Sequence, residues 1–347
     1  MKFYTIQHKF YCGIDRHADG MYLCVLDAEG EVRVHKNIRT DPQAFLQTLR
    51  PFREDVVVCV ECMFTWYWLT DLCEDEGIPF VLGHAHYMRA IHGGKAKNDR
   101  IDSHKIAALL RGGLIPQAYV YPRRMRATRD LLRHRNHLMH KRAELFAHIQ
   151  NTNSQYNLGE PLGRIAKPQN RRGLLERFDH SCVQKNIEVD LALVDFYDPL
   201  LAELERYIEK TAQGHDPVSL ALLRTVPGVG KILALVMLYE IEDIARFPRV
   251  QEFVSYCRQV KSARESNGKR HGTSGKKISN AHLKWAFSEA AVLFLKNNEP
   301  AKKYLATLAT RHGKGKALSI LAHKLGRAVY FMIKNRVAFD QEKFLAA

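Results

Sequence analysis

The stretch Lys97-Asn98-Asp99-Arg100-Ile101-Asp102-Ser103-His104-Lys105-Ile106-Ala107-Ala108-Leu109-Leu110 decides how the first third of the chain is read. Ile101, Lys105, Ala108 and Leu109 recur at helical spacing, and Gly112-Gly113 supplies a stop. Asp99 and Asp102 stand three apart, so both carboxylates project from one face of the first turn. Two readings are open here. Asp at a helix start is ordinary capping chemistry. Alternatively, the pair belongs to a site completed from upstream.

Upstream, Tyr11-Cys-Gly-Ile-Asp15 is a short apolar run ending in a carboxylate, and Met21 to Asp27 is a second strand turned by Ala28-Glu29-Gly30. Glu31 to Ile38 alternates apolar and polar, as a half-buried third strand does. Asp41-Pro42 opens a helix with Phe45, Leu46 and Leu49 on one face. Asp55 to Glu61 is nearly all apolar, so it is central and buried on both faces. Phe64 to Glu76 reads as a helix, Ile78 to Leu82 as a fifth strand, and His84 to Gly94 as a link to the acidic helix. In such a β-β-β-α-β-α-β-α order the first and fourth strands lie side by side, so Asp15 and Glu61 meet, and the closing helix brings Asp99 and Asp102. Four clustered acids repel one another unless cations sit between them. Oxygen ligands suit Mg²⁺ or Mn²⁺, and two such ions stabilise a phosphoryl displacement.

The 347 residues suffice for two or three domains. A formal net charge of +16 favours a polyanionic partner. No apolar run spans a bilayer, and the first ten residues lack a signal peptide's apolar core, so a cytosolic or nucleoid-associated protein with no membrane partner is expected. The seven cysteines mostly sit in apolar runs and read as reduced core residues. Cys59-Val-Glu-Cys62 has redox spacing but no accompanying motif, and zinc at Cys62 with His84 or His86 lacks a second close ligand pair.

Gly13-Ile14-Asp15, Val60-Glu61 and Lys97 to Asp102 resemble the acidic motifs of a RuvC-like (RNase H fold) domain. More narrowly, they are similar to those of the DEDD transposases of the IS one-ten/IS eleven-eleven insertion-sequence family. The Thr-Gly-x-Tyr that commonly follows the glutamate is replaced here by Cys62-Met63-Phe64-Thr65-Trp66-Tyr67.

Pro116 and Pro122 mark a boundary, giving a first domain of residues 1–120. The middle domain, 121–215, starts with a basic helix in which Arg126, Arg129 and Arg133 stand on a face outside an apolar seam, suited to phosphate backbones. Residues 151–170, rich in Asn, Gly, Pro and Gln, read as a connection or a loose hairpin tip. Val189 to Thr211 is a second helix, and the two helices make an antiparallel coiled-coil arm with a second protomer as natural partner.

The last domain, 216–347, opens with Thr225-Val-Pro-Gly-Val-Gly230-Lys231 between apolar helices, the pattern of a helix-hairpin-helix whose contacts to phosphate are Gly228, Gly230 and Lys231. A loop with Lys269, Lys276 and Lys277 follows. By composition alone it is a flexible basic loop for DNA. The resemblance implies more, because the family's C-terminal domain carries a nucleophilic serine in a Ser-Gly-rich loop ahead of an Asn-x-x-Leu-Arg helix. Ser266-Asn267-Gly268-Lys269 matches that serine best, with Ser274-Gly275 competing, and Asn280-Ala-His-Leu283-Lys284 matches the helix. The stretch from Ala301 to Phe339 reads as a closing basic helix.

The expected architecture is therefore an α/β RNase H-like N-terminal domain, an α-helical coiled-coil arm and a mostly α C-terminal transposase domain. The resemblance implies an insertion-sequence transposase that acts as an RNA-guided site-specific DNA recombinase. Its partners are element-end and target DNA, a structured non-coding guide RNA, and further copies of itself as a dimer or tetramer. Asp15, Glu61, Asp99 and Asp102 hold Mg²⁺, with Mn²⁺ as the alternative ion, and Ser266 attacks DNA. Two other classes stay open: a metal-dependent nuclease of junction-resolvase type that uses only the four acids, and a non-catalytic nucleic-acid scaffold.

Overall fold

The computed structural model describes residues 2–91, 98–159, 163–212, 216–260, 265–270 and 278–346. The chain divides into two compact units, Met1–Arg123 and Arg124–Ala347.

In the first unit, β1 (Phe10–Arg16), β2 (Gly20–Asp27) and β3 (Val32–Arg39) form an antiparallel meander. α1 (Pro42–Leu49) follows, with Asp41 as its N-cap accepting from the Ala44 amide and Pro42 at its first position. Then come β4 (Val56–Glu61), α2 (Tyr67–Asp75), β5 (Phe80–Gly83), α3 (Ala85–Ile91) and α4 (Asp99–Arg111). The strand order is β3-β2-β1-β4-β5, with β1–β4 and β4–β5 parallel. This mixed sheet places the first and fourth strands side by side. Two expectations need correction. α2 starts three residues later than Phe64, and the segment after His84 contains helix α3 rather than a plain link.

Alternation along the strands separates two cores. Cys12, Ile14, Val56, Val58 and Val60 pack with Phe45 and Leu49 of α1 and Leu69 of α2. Tyr11, Val57, Cys59 and Val81 pack with Ile106, Leu109 and Leu110 of α4 and Met88 of α3. A side-chain period of two then puts Asp15 and Glu61 on the same face as Tyr11 and Val57, the face that α4 covers.

The second unit is mostly helical. α5 (Arg123–Gln155) and α6 (Ser181–Thr211) run antiparallel, tied by Arg135–Glu205, Arg142–Asp198 and His148–Asp190. The described residues between them are packed. Ile165, Leu174 and Phe178 pack against Ile149 and Ile187. Buried Arg171 bonds to Asp195, to Asp198 at 2.7 Å and to the Ile165 carbonyl at 3.0 Å. Ile165 thus anchors part of the stretch whose composition reads as a connection, and Arg171, Leu174 and Phe178 anchor the residues after it.

The remaining elements are α7 (Pro217–Arg224), α8 (Lys231–Ile241), α9 (Val250–Tyr256), the two-residue strands β6 (Glu265–Ser266) and β7 (Lys269–Arg270), α10 (Ala281–Phe294), α11 (Glu299–His312), α12 (Lys314–Asn335) and α13 (Gln341–Ala346). α8, α10 and α12 share a core that includes Leu235, Phe253, Phe287 and Leu325. The closing basic stretch is two helices rather than one, broken at Gly313, whose φ of 78° no helix accommodates. Among the described residues, no helix is long and apolar enough to cross a membrane.

Candidate active site

The acidic site begins with a glycine. Gly13 faces α4 so closely that a Cβ there would lie 2.2 Å from the Ala107 nitrogen and 2.4 Å from the Ser103 carbonyl oxygen. Ser103 and Ala107, both fully buried, are the small residues on the facing side of α4. Backbone therefore lies against backbone, and the N-terminal turn of α4 is carried up to the end of β1. His35 of β3 bonds through Nε2 to the Arg100 carbonyl oxygen at 2.9 Å, which ties that turn to the sheet. The N-cap of α4 is Asn98, whose side chain accepts from the Ile101 amide at 2.8 Å. Capping is therefore performed without Asp99 or Asp102, and both carboxylates remain in the first turn for other work.

Ile14 pairs with Val60 in the parallel ladder, and Asp15 and Glu61 follow immediately after that pair. Asp15 has a raised carboxyl pKa. Burial is the largest cause; His17 opposes it, and the negative charges of Asp99, Asp102 and Glu61 add to it. The other three acids found in the sequence thus act on Asp15 electrostatically. Lys105 lies 3.6 Å from Asp102.

Sequence reading missed a fifth participant, His17. Its Nε2 lies 3.3 Å from Asp99 Oδ1 and 3.8 Å from Asp15 Oδ2. Asp15, His17 and Asp99 each offer one ligand atom within 4.8 Å of the others. The signal was available: His17 stands two residues after Asp15, just past the end of β1. A divalent cation fits this donor set, because it would offset both the burial of the Asp15 carboxylate and the negative charges of Asp99, Asp102 and Glu61 that add to its raised pKa.

In the second unit, the segment expected to be a flexible loop holds a hairpin. Ser266 pairs with Lys269 and Glu265 with Arg270. Asn267 and Gly268 have φ of 50° and 70°. Positive φ at both central residues is what a type I′ turn requires, and Asn-Gly is its strongest sequence signal. Ser266 thus sits directly before the tip and exposed Lys269 directly after it. The chain entering and leaving this region is clamped. Arg258 Nε donates to the Ile278 and Ser279 carbonyls at 2.7 and 3.0 Å, and the Asn280 amide donates to the Tyr256 carbonyl at 2.8 Å. Asn280 also caps α10, accepting from the His282 and Leu283 amides. Ser274, Lys276 and Lys277 lie outside the described residues.

A model of the DEDD transposases of the IS110 family matches residues 12–157, and the model described as Transposase IS116/IS110/IS902 family matches residues 220–306. The chain belongs to the IS110 family of transposases. Both the acidic strand ends and the serine hairpin fall inside the matched regions, and the family makes this chain a DNA transposase, an enzyme rather than a scaffold. No curated protein matches the chain.

In this IS110-family chain the basic residues are distributed differently from the sequence expectation. Arg126 and Arg129 are buried, at 4 % and 7 % exposure, not on an outer face of α5. Arg129 donates from Nε to Glu240 Oε2 at 3.1 Å. Arg133 forks onto the same carboxylate, with Nε to Oε1 at 2.6 Å and Nη2 to Oε2 at 3.0 Å. Asn280 Nδ2 completes the set at 2.7 Å. Burial pushes the Glu240 carboxyl up, but Arg133 and Arg129 overcome it and bring it down to about 2. The helical period located the arginines correctly; it did not reveal that α8 carries a buried acid to receive them. The clue was a lone glutamate in the otherwise apolar Ile232–Ile241 run.

The turn between α7 and α8 exists as expected, and its residues have local duties. Gly228 has φ of 83°, and a Cβ there would lie 2.5 Å from the Leu293 carbonyl carbon, so this glycine permits close packing on α10. Gly230 is the N-cap of α8. Lys231 Nζ bonds Glu209 Oε2 at 2.9 Å.

Proposed function

We propose that this transposase is an RNA-guided site-specific recombinase that cuts and rejoins DNA through Ser266, with Asp15, Glu61, Asp99 and Asp102 forming a Mg²⁺ site. The single observation that carries the reading is the meeting of adjacent parallel strand ends and the α4 first turn, which makes Asp15 respond to all three other acids. The meander extended by parallel strands is the RNase H-like (RuvC-like) arrangement, and α5 with α6 is the coiled-coil arm through which copies associate as a dimer or tetramer.

In the chemistry, the Ser266 oxygen forms a bond to a DNA phosphorus as the phosphorus–oxygen bond to one deoxyribose breaks. The hydroxyl proton passes to a base, and the departing oxygen takes up a proton. Rejoining is the same exchange with a new deoxyribose hydroxyl. A bound divalent cation supplies charge neutralisation on the phosphate and favours the ionised nucleophile. The carboxylates hold that charge in place and orient it. Ser266 stands in the backbone pair that flanks the Asn267-Gly268 tip, a position that presents it at the end of a hairpin. Lys269 beside it, with Lys276 and Lys277, contacts the phosphate backbone, and Gly228, Gly230 and Lys231 form a helix-hairpin-helix contact. Sequence choice lies in base pairing to the guide RNA, which the protein holds by shape and backbone.

The test is a denaturing gel of protein incubated with Mg²⁺, element-end DNA, target DNA and the flanking RNA. A protein–DNA adduct that survives boiling in detergent and disappears in Ser266→Ala but not Ser274→Ala is the expected result. Cut DNA without an adduct in any lane would replace this reading with a hydrolytic nuclease that uses the acids alone.

A further inference from the structure

We propose that His17 is a ligand of the acidic site, so that the site holds its ion through nitrogen as well as oxygen and discriminates in favour of Mn²⁺ over Mg²⁺. The inference rests on the metal-site reading above. It goes beyond that reading by adding a residue that is not among the four acids and by predicting ion preference.

Three features support it. The separations of His17 Nε2 from Asp99 Oδ1 and Asp15 Oδ2, 3.3 and 3.8 Å, suit ligands sharing one ion. Two donors at about 2.1 Å on neighbouring corners of an octahedron stand roughly 3 Å apart. The imidazole is delivered by a fixed backbone: the His17 amide donates to the Gly20 carbonyl at 2.8 Å, and the His17 carbonyl accepts from Thr40 Oγ1 at 3.2 Å. The same nitrogen faces two carboxylate oxygens, one from β1 and one from α4, so three donors from separate positions converge on one point. A direct hydrogen bond from His17 to the acids is the competing explanation.

The two explanations predict opposite signs. A ligand strengthens ion binding, whereas a hydrogen-bond donor competes with the ion for the carboxylates. Mg²⁺ prefers all-oxygen surroundings, and imidazole suits later transition ions better. Loss of the imidazole should therefore weaken Mn²⁺ more than Mg²⁺.

The experiment uses the full-length protein and Mn²⁺ itself as probe. Binding is followed by the electron paramagnetic resonance of free Mn²⁺, and the bound ion is examined by electron spin-echo modulation for directly coupled ¹⁴N. Wild type, His17→Ala, His17→Gln and Asp15→Asn are compared, with Mg²⁺ affinity measured by competition. Expected are a ¹⁴N coupling in wild type that both His17 variants and Asp15→Asn lose, and Mn²⁺ affinity down by about tenfold or more in His17→Ala, with a smaller change for Mg²⁺. Circular dichroism of the His17 variants should match wild type, since this side chain is exposed. Mn²⁺ bound in an Asp15-dependent way without ¹⁴N coupling, or bound more tightly by His17→Ala, overturns the role of His17 and leaves the acidic site standing. Absence of any Asp15-dependent Mn²⁺ binding overturns both.

Discussion

Asp15 and Glu240 are both carboxylates in buried or half-buried positions, yet their proton affinities move in opposite directions. Around Glu240, two guanidiniums and an amide satisfy both oxygens, and the cluster is sealed among α5, α8 and the start of α10. Around Asp15, the negative charges of three more carboxylates act at a strand end, with His17 Nε2 3.8 Å away. Balanced and buried charge is architecture. Surplus charge of one sign, held together by backbone packing, makes a place for a ligand of the other sign. The contrast also explains why the basic face of α5 is a poor guide to DNA binding: Arg129 and Arg133 are already engaged by Glu240 from within.

The comparison breaks most visibly in catalysis. Asp15→Asn, Asp99→Asn or Asp102→Asn should lower DNA cleavage by about a thousand-fold or more, roughly 4 kcal/mol in barrier, with the fold intact by circular dichroism. Glu240→Ala should do the opposite, removing stability first. It strands buried Arg129 and half-buried Arg133, a loss of about 3–5 kcal/mol readable from chemical denaturation.

That cluster also has a pH signature. Because the folded Glu240 pKa is held at about 2, below its ordinary value of 4.5, its stabilisation is fully present above pH 4.5 and fades as pH falls towards 2. Thermal melts from pH 6 to 2.5 should show a steeper acid loss in wild type than in Glu240→Gln.

A smaller effect tests how the acids are brought together. Gly13→Ala places a methyl against the α4 backbone and should cost about 1–3 kcal/mol, while weakening divalent-ion binding through displacement of Asp99 and Asp102. An unchanged melting temperature would show that α4 does not rest on β1 as described. The smallest effect has an unusual sign. The Asp15 pKa is raised, so its ionised form opposes folding above that pKa, and the opposition vanishes below the ordinary carboxylate range of about 4. Without added metal, Asp15→Asn should raise stability at pH 7 by about 1 kcal/mol or less and leave it unchanged at pH 3.

Much of this was legible in the residues. The strand and helix order, the Asp41-Pro42 helix start and the four acids at strand and helix ends all follow from short-range periodicity and capping chemistry. The Asn267-Gly268 turn was legible too, but it lies within a stretch whose lysines and serines read as a loose loop. The cap of α4 turned on one residue: Asn98 and Asp99 are both good caps, and only the backbone tells which of them is extended.

What the sequence by itself determined is the type of the five sheet strands and of the helices α1, α2 and α4, and the presence of an acidic set and a serine segment, because those depend on neighbours within a few residues. Tertiary structure alone decided which charges meet. Glu240 finds Arg129 and Arg133 more than a hundred positions away, and His17 finds Asp99 across the gap between β1 and α4. The physical reason is that electrostatic partnership depends on distance and burial between faces, and periodicity says which way a face points but not what it meets.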